Sequence, residues 1–175
     1  MEEKILFILT GGTLESVFKH SRIPAARARV EAHLRKANAS GMFEFSRVSL
    51  KDSRDLADDD RDGMAAAIKS SDAKKVIITH GTYTMVETAK YLKKRIGREK
   101  TVVLTGSFAP LSRPDSDAKF NLGYAVAAAQ LLPHGIYICM NGKVFKPENA
   151  RKNSEKRRFE TCPGSSRGKN RDLHD

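Results

Sequence analysis

Hydroxyl-bearing residues and glycines recur at the points where the apolar segments of this chain end. Thr-Gly-Gly-Thr occupies residues 10–13, Thr-His-Gly-Thr residues 79–82 and Thr-Gly-Ser residues 105–107, while Asp-Ser at 52–53 and Asn141 follow two further segments. Glycine lets a ligand approach the main chain closely, and main-chain N–H groups there can hold an anion or a developing oxyanion. The pattern indicates a small polar site, provided that the fold brings these segments together.

The segments between these motifs predict a fold in which the motifs lie close together. Apolar runs rich in strand-forming residues alternate with amphipathic segments, which is typical of βαβ units. In such a sheet, ligands bind beyond the carboxyl ends of the strands. The predicted fold class is therefore α/β: a doubly wound, mainly parallel sheet with helices on both faces, in three layers. The predicted strands are 4–9, 43–50, 74–79, 101–105 and 135–140, and the predicted helices are 25–39, 58–68, 84–96 and 121–132.

Each of these residues also has an ordinary structural explanation. A Gly-Gly pair after a strand usually forms a tight turn, and a threonine at a strand end usually satisfies the main chain. His80 has no serine or cysteine partner at a diagnostic spacing, so a hydrogen-bonding role is predicted for it. Lys152 lies in a basic stretch and on its own would be taken as a surface lysine. One motif alone therefore says little about function.

The sequence argues against a bound metal or cofactor. We find no cluster of His, Cys and carboxylate residues with metal-ligand spacing, so no metal is predicted. Residues 10–13 lack both the Gly-Lys-Ser/Thr of a phosphate loop and the three-glycine dinucleotide fingerprint. The predicted site therefore works without a cofactor.

Length and composition set the domain organisation and the compartment. Residues 1–160 are predicted to form one domain and residues 161–175 a basic, disordered tail. The formal net charge is +11, but residues 143–175 hold ten Lys/Arg against five Asp/Glu with few aromatics, so a solvated surface is favoured over nucleic-acid binding. Two cysteines are too few for a disulfide framework, and no apolar run approaches the roughly 18–20 residues that span a bilayer. With no leader-like segment before the first strand, a cytoplasmic protein without membrane contact is expected.

Five segments, taken in chain order, resemble the N-terminal domain of bacterial-type L-asparaginases. They are Thr-Gly-Gly-Thr-Leu (10–14), Ile-Thr-His-Gly-Thr-Tyr-Thr-Met-Val-Glu-Thr-Ala (78–89), Val-Val-Leu-Thr-Gly (102–106), Ser-Asp-Ala-Lys-Phe-Asn-Leu (116–122) and Tyr-Ile-Cys-Met-Asn (137–141). The resemblance covers roughly residues 4–160. Because full-length members have a second domain, this chain is expected to represent a short, single-domain branch of the family.

The resemblance implies a catalytic role for three residues. Thr13 matches the threonine whose hydroxyl attacks the side-chain amide, releasing ammonia and leaving an acyl-enzyme. Thr82 matches the second threonine, which positions or activates the hydrolytic water, and Lys152 matches the lysine that helps to activate the nucleophile. This agrees with the chemistry, because a threonine hydroxyl is a poor nucleophile until a base takes its proton, and a desolvated neutral lysine can do so.

The resemblance also implies contacts with the substrate. Ser53 matches the residue that grips the substrate's α-carboxylate, and main-chain donors at Gly12 and Gly81 would face the developing oxyanion. Tyr83 stands where the family motif has an aspartate that receives the substrate's α-amino group. A phenol, with its ordinary pKa of about 10, supplies no such negative charge. Tyr83 therefore predicts a different substrate, a lower activity or a non-catalytic member.

Two further features of the family bear on how the site is closed. Residues 14–24 correspond to its mobile lid but contain no tyrosine to match the lid tyrosine, Phe18 and His20 being the nearest candidates. In longer members the second domain also sends an acidic residue into a neighbouring subunit's site. A homo-oligomer, either a dimer or a tetramer, is therefore expected here.

Three functional hypotheses follow. The preferred one is an amidohydrolase that converts asparagine or a related small amide to the acid and ammonia. The second is an amino-acid sensor or interaction module on the same fold, suggested by Tyr83. The third is a nucleic-acid-binding role, which depends only on the net charge of +11.

Overall fold

The computed structural model describes residues 3–15 and 25–162. Phe18, His20 and the remainder of the predicted tail beyond residue 162 lie outside the described residues. The division of the chain at residue 160 stays a prediction. The second strand of a C-terminal hairpin ends at Thr161, and the Cys162 N–H donates to the Asn149 carbonyl at 2.8 Å.

The centre of the fold is a six-stranded sheet. Its strands are β1 (Lys4–Gly11), β2 (Met42–Lys51), β3 (Lys75–Thr79), β4 (Thr101–Thr105), β5 (Gly135–Met140) and β6 (Lys143–Phe145), in the order β2-β1-β3-β4-β5-β6. Every pair is parallel except β5 with β6, which is antiparallel. A separate antiparallel hairpin joins β7 (Ala150–Asn153) to β8 (Arg158–Thr161).

Helices cover both faces of this sheet. They are α1 (Gly12–Glu15), α2 (Ala25–Lys36), α3 (Asp58–Ser70), α4 (Met85–Lys93) and α5 (Ala118–Leu131), and two 3-10 turns span Ser53–Asp55 and Pro147–Asn149. Alternate strand residues point to opposite faces. Ile78 belongs to the core cluster that includes buried residues of α3 and α4, whereas its neighbour Ile77 belongs to the cluster that includes α2 and α5. The predicted doubly wound α/β fold is confirmed.

The element boundaries depart from prediction by up to three residues, mainly at the ends of helices; the helix predicted to reach residue 39 ends at Lys36. The helix predicted from residue 121 begins at Ala118, whose N–H donates a 3.0 Å hydrogen bond to the Ser116 hydroxyl. The helix predicted to reach residue 96 ends at Lys93. Within the described residues, no helix is both long enough and apolar enough to cross a bilayer.

Candidate active site

The ends of β1 and β3 touch through their main chains. Gly12 has a φ of 75°, and a Cβ atom built there would lie 2.6 Å from both the N and the Cα of Gly81. A side chain cannot fit into that space, so glycine at position 12 allows the two loops to meet. Thr13 and Thr82 follow these glycines directly, Thr13 half-buried and Thr82 buried. The contact therefore has a threonine on each side.

Ser53 brings the loop after β2 to the same place. It starts a 3-10 turn and is buried, and a Cβ atom at Gly81 would lie 2.5 Å from its Oγ. Its carbonyl accepts a 2.6 Å hydrogen bond from the Thr84 hydroxyl, which fixes the turn against the start of α4. The Ser53 Oγ itself has no hydrogen-bond partner among the described residues. An unpartnered buried hydroxyl is uncommon, and it makes Ser53 a candidate for a ligand contact.

Lys152 reaches the site from the β7–β8 hairpin. Its Nζ lies 3.3 Å from the centroid of the Tyr83 ring and 5.5 Å from that of Phe108. Burial lowers the pKa of the Lys152 ammonium below its ordinary value, and repulsion by Arg54 lowers it further. Both effects raise the fraction of neutral amine, which is the form that accepts a proton.

Glu160 stabilises the hairpin that carries Lys152. Its carboxylate accepts hydrogen bonds from Asn153 at 3.1 Å, Arg151 at 3.2 Å and Arg158 at 2.9 Å. The bonds from Asn153 and Arg158 lower the pKa of Glu160 to about 2. Lys152 pairs with Phe159 across the hairpin, and the Phe159 side chain is buried in the core. The lysine is therefore held by a charged surface network on one side and by core packing on the other.

His80 orients the main chain of the loop between β3 and α4. The Arg61 guanidinium donates to the Thr88 hydroxyl at 3.2 Å, Thr88 lies 2.9 Å from the His80 Nε2, and the His80 Nδ1 lies 2.7 Å from the Gly81 carbonyl. Since a carbonyl only accepts, Nδ1 carries the proton and Thr88 donates to Nε2. Burial lowers the pKa of His80 to about 4, so the ring is neutral at pH 7. The predicted hydrogen-bonding role of His80 is confirmed.

The loops after β4 and β5 use their polar groups within the fold. The Asn121 amide donates to the Gly106 carbonyl at 3.0 Å and accepts from the Asn141 N–H at 3.1 Å. The Asn141 side chain in turn accepts from the Phe159 N–H at 3.0 Å, and the Ser107 hydroxyl donates to the Ala109 carbonyl. These residues join the large sheet to the hairpin. They position the site rather than offer free groups to it.

Glu15 is a buried carboxyl group at the site that the sequence did not reveal. It accepts a hydrogen bond from the Gly11 N–H at 3.1 Å and a short one from the Thr79 hydroxyl, and its Oε2 has no partner among the described residues. Burial raises the pKa of Glu15 to about 7. Because residues 14–24 read as a polar loop, nothing in the pattern marked this position. Glu15 is a positioning residue for the end of β1, where its carboxylate holds the Gly11 N–H.

Replacing Glu15 with Gln is expected to stabilise the protein at alkaline pH only. The folded pKa of about 7 exceeds the ordinary value of 4.5, so the contribution of Glu15 to stability is complete below pH 4.5 and is lost as the pH rises through 7. The loss approaches about 3 kcal/mol, and Gln keeps the acceptor for the Gly11 N–H. Thermal unfolding of both proteins at pH 5 and pH 9 measures the effect. A constant difference in melting temperature at the two pH values would contradict it.

Comparisons with known proteins identify the family to which this α/β chain belongs. The chain matches the family described as Asparaginase, N-terminal, over residues 4–162, and it belongs to that family. It is 28% identical over 169 residues to the glutaminase-asparaginase of Acinetobacter glutaminasificans, covering 86% of this chain and 50% of that protein. This chain spans about half the length of that relative.

Solved structures show the same fold. L-asparaginase I from Vibrio cholerae superimposes with a TM-score of 0.79 at 26% identity, covering 92% of this chain and 52% of that one. The thermostable L-asparaginase from Thermococcus kodakarensis gives a TM-score of 0.76 at 26% identity, with coverage of 90% and 51%. The predicted resemblance to the N-terminal domain of bacterial asparaginases is confirmed.

Proposed function

We propose that this protein is an amidohydrolase that converts asparagine or a related small amide to the acid and ammonia through a threonine acyl-enzyme. The observation that carries this is the main-chain contact between Gly12 and Gly81, with Thr13 and Thr82 directly after them. Membership of the asparaginase family and relatives named as asparaginases support it.

Each residue of the site has a role in this reaction. The Thr13 hydroxyl attacks the amide carbon, and the neutral amine of Lys152, favoured by the lowered pKa of its ammonium, takes the hydroxyl proton. Main-chain N–H groups of Gly12 and Gly81 stabilise the oxyanion. Ammonia leaves, and a water positioned by Thr82 cleaves the acyl-enzyme.

Substrate binding is assigned to the remaining predicted residues. The unpartnered hydroxyl of Ser53 donates a hydrogen bond to the carboxylate of the substrate. Tyr83 lies beside Lys152 and forms the wall of the site next to that residue. No cofactor and no metal takes part in the proposed reaction.

Ammonia release and acyl-enzyme trapping test this proposal together. Purified protein should release ammonia from at least one of a panel of small amides, including asparagine and glutamine. Rapid acid quenching during turnover should leave the acyl mass on the peptide that contains Thr13. Lys152→Met should slow turnover by about a hundredfold, as loss of a general base does. Ammonia release without any adduct on that peptide would reject the threonine mechanism.

A second candidate is a module that binds a small carboxylic acid without turnover. The observation that favours it is Tyr83, which occupies the family's aspartate position and holds the Lys152 ammonium against its ring. This candidate requires measurable binding with no ammonia from any amide in the panel. Turnover that depends on Thr13 would rule it out.

We also propose a homo-oligomer in the cytoplasm. Phe120 is 61% exposed and stacks on Tyr124, and Leu131 at the end of the same helix is 83% exposed, which supports burial of α5 against a second copy. Sedimentation velocity gives the assembly state, and a monomer at micromolar concentration would contradict the proposed oligomer.

The low cysteine content supports a reducing compartment, which cell fractionation tests.

A further inference from the structure

Two cations gather on one aromatic ring beside Thr82. Tyr83 is 56% exposed, and its ring centroid lies 3.3 Å from the Lys152 Nζ and 4.6 Å from the Arg54 Cζ. The face of an aromatic ring carries negative potential and attracts cations. The Tyr83 ring therefore holds two cationic side chains close to the proposed substrate-binding site. We call Asp52, Ser53, Arg54, Tyr83 and Lys152 the Tyr83 cluster.

The charges of the Tyr83 cluster do not balance. Asp52 accepts hydrogen bonds from the Arg54 Nε at 2.9 Å and Nη2 at 3.0 Å, which engages its carboxylate. In residues 3–15 and 25–162, no carboxylate oxygen lies within 4.0 Å of the Lys152 Nζ. While Lys152 is protonated, the cluster holds one positive charge in excess, and the neighbouring Asp55 offsets part of it through a longer-range attraction to Arg54. The cluster attracts anions and repels cations.

The cluster also contains an unused hydrogen-bond donor. The Ser53 side chain is buried, and its Oγ has no hydrogen-bond partner among the described residues. A hydroxyl can donate to a carboxylate. An anionic ligand group therefore finds both a donor and a favourable field. An ammonium group finds two cations and a carboxylate that Arg54 already holds.

We propose that the site prefers a monoamide of a dicarboxylic acid without an α-ammonium group, and that Tyr83 sets this preference. The proposal rests on the amidohydrolase function proposed above. The carboxylate of such a substrate is attracted by Arg54 and Lys152, and it brings no ammonium group to oppose them. Because Tyr83 and Arg54 are largely exposed and water screens their charges, we expect a preference of about tenfold over the α-amino analogue.

Succinamate, the monoamide of succinic acid, is the simplest member of this class. The Thr13 Oγ bonds to its amide carbon, the C–N bond breaks, and ammonia leaves with the proton taken from the hydroxyl. Water then attacks the ester carbon, which releases succinate and restores the Thr13 hydroxyl. Asparagine differs from succinamate only by the α-ammonium group, so the pair isolates the effect of that charge.

The test compares kcat/KM for succinamate and L-asparagine in three proteins. Wild type should favour succinamate by about tenfold. Tyr83→Asp should reverse the ratio in favour of asparagine, because it introduces a carboxylate where the ammonium would lie. The matched variant Tyr83→Phe keeps the ring that holds both cations. Its ratio of kcat/KM for the two amides should therefore equal that of wild type. A wild-type preference for asparagine, or an unchanged ratio in Tyr83→Asp, would overturn the proposal.

A binding measurement separates this proposal from the amidohydrolase function. Calorimetric titration of wild type with succinate and with L-aspartate needs no turnover, and succinate should bind about tenfold more tightly. Turnover with asparagine preferred would refute the preference and leave the amidohydrolase intact. Absence of ammonia from either amide would refute the amidohydrolase, and the titration would then still decide the preference. Tighter binding of L-aspartate than of succinate would overturn the proposed preference, whatever the turnover measurements show.

Discussion

Thr13→Val is expected to reduce ammonia release by at least about a thousandfold while leaving the fold intact. Valine matches threonine in shape but lacks the hydroxyl, so the proposed nucleophile disappears without a cavity in α1. Loss of a nucleophile that acts as one unit with its base has an effect of this size or larger. Steady-state release from the best amide of the panel measures it, with circular dichroism to confirm folding.

Thr13→Ser provides the matched control for that substitution. It restores a hydroxyl at the same position, so part of the activity should return and the acyl mass should move to the serine. The two variants should share the same unfolding midpoint to within a few degrees, because residue 13 is only half-buried. Equal rates in wild type and Thr13→Val would show that another group attacks the amide.

Gly12→Ala is expected to cost roughly 2–5 kcal/mol of unfolding free energy and to abolish turnover. The added methyl group would lie 2.6 Å from main-chain atoms of Gly81, and alanine is strained at a φ of 75°. Main-chain atoms cannot swing aside as a side chain can, so the loops after β1 and β3 must separate. Urea denaturation gives the free energy, and the ammonia assay gives the activity.

Gly123→Ala is the control for this second prediction. Gly123 lies within α5, and a Cβ atom there would meet no atom within 4 Å. Alanine is the better helix former, so this variant should gain up to about 1 kcal/mol. A Gly12→Ala protein as stable as Gly123→Ala would show that the two loops do not depend on the contact.

The central strands were predictable because they are buried on both faces. Such strands appear in the sequence as continuous apolar runs bounded by glycine and polar residues, and β4 and β5 match their predicted limits of 101–105 and 135–140. The meeting of residues 10–13 with residues 79–82 also followed from topology. Neighbouring parallel strands such as β1 and β3 end at the same edge.

The hairpin and the charged contacts were not predictable from pattern. β7 and β8 have four residues each, and Glu160 joins them through Asn153, Arg151 and Arg158 rather than through an apolar repeat. The resemblance identified Lys152 but could not place it over the Tyr83 ring. Arg54 lies in the 3-10 turn that follows Asp52, and its Cζ is 4.6 Å from the centroid of that ring.

The burial of Glu15 and His80 behind the two threonine loops links folding to proton exchange in opposite directions. Between about pH 4.5 and 6.5 the chain takes up a proton at Glu15 as it folds, because its pKa rises from 4.5 to about 7. In the same interval it releases one at His80, whose pKa falls from 6.5 to about 4. The two transfers nearly cancel, so the calorimetric enthalpy of unfolding should not depend on the ionisation heat of the buffer near pH 5.5. At pH 7 the unfolded His80 is mostly neutral while the folded Glu15 still holds about half a proton, so a net uptake of about a quarter of a proton remains and the enthalpy should differ modestly between phosphate and Tris.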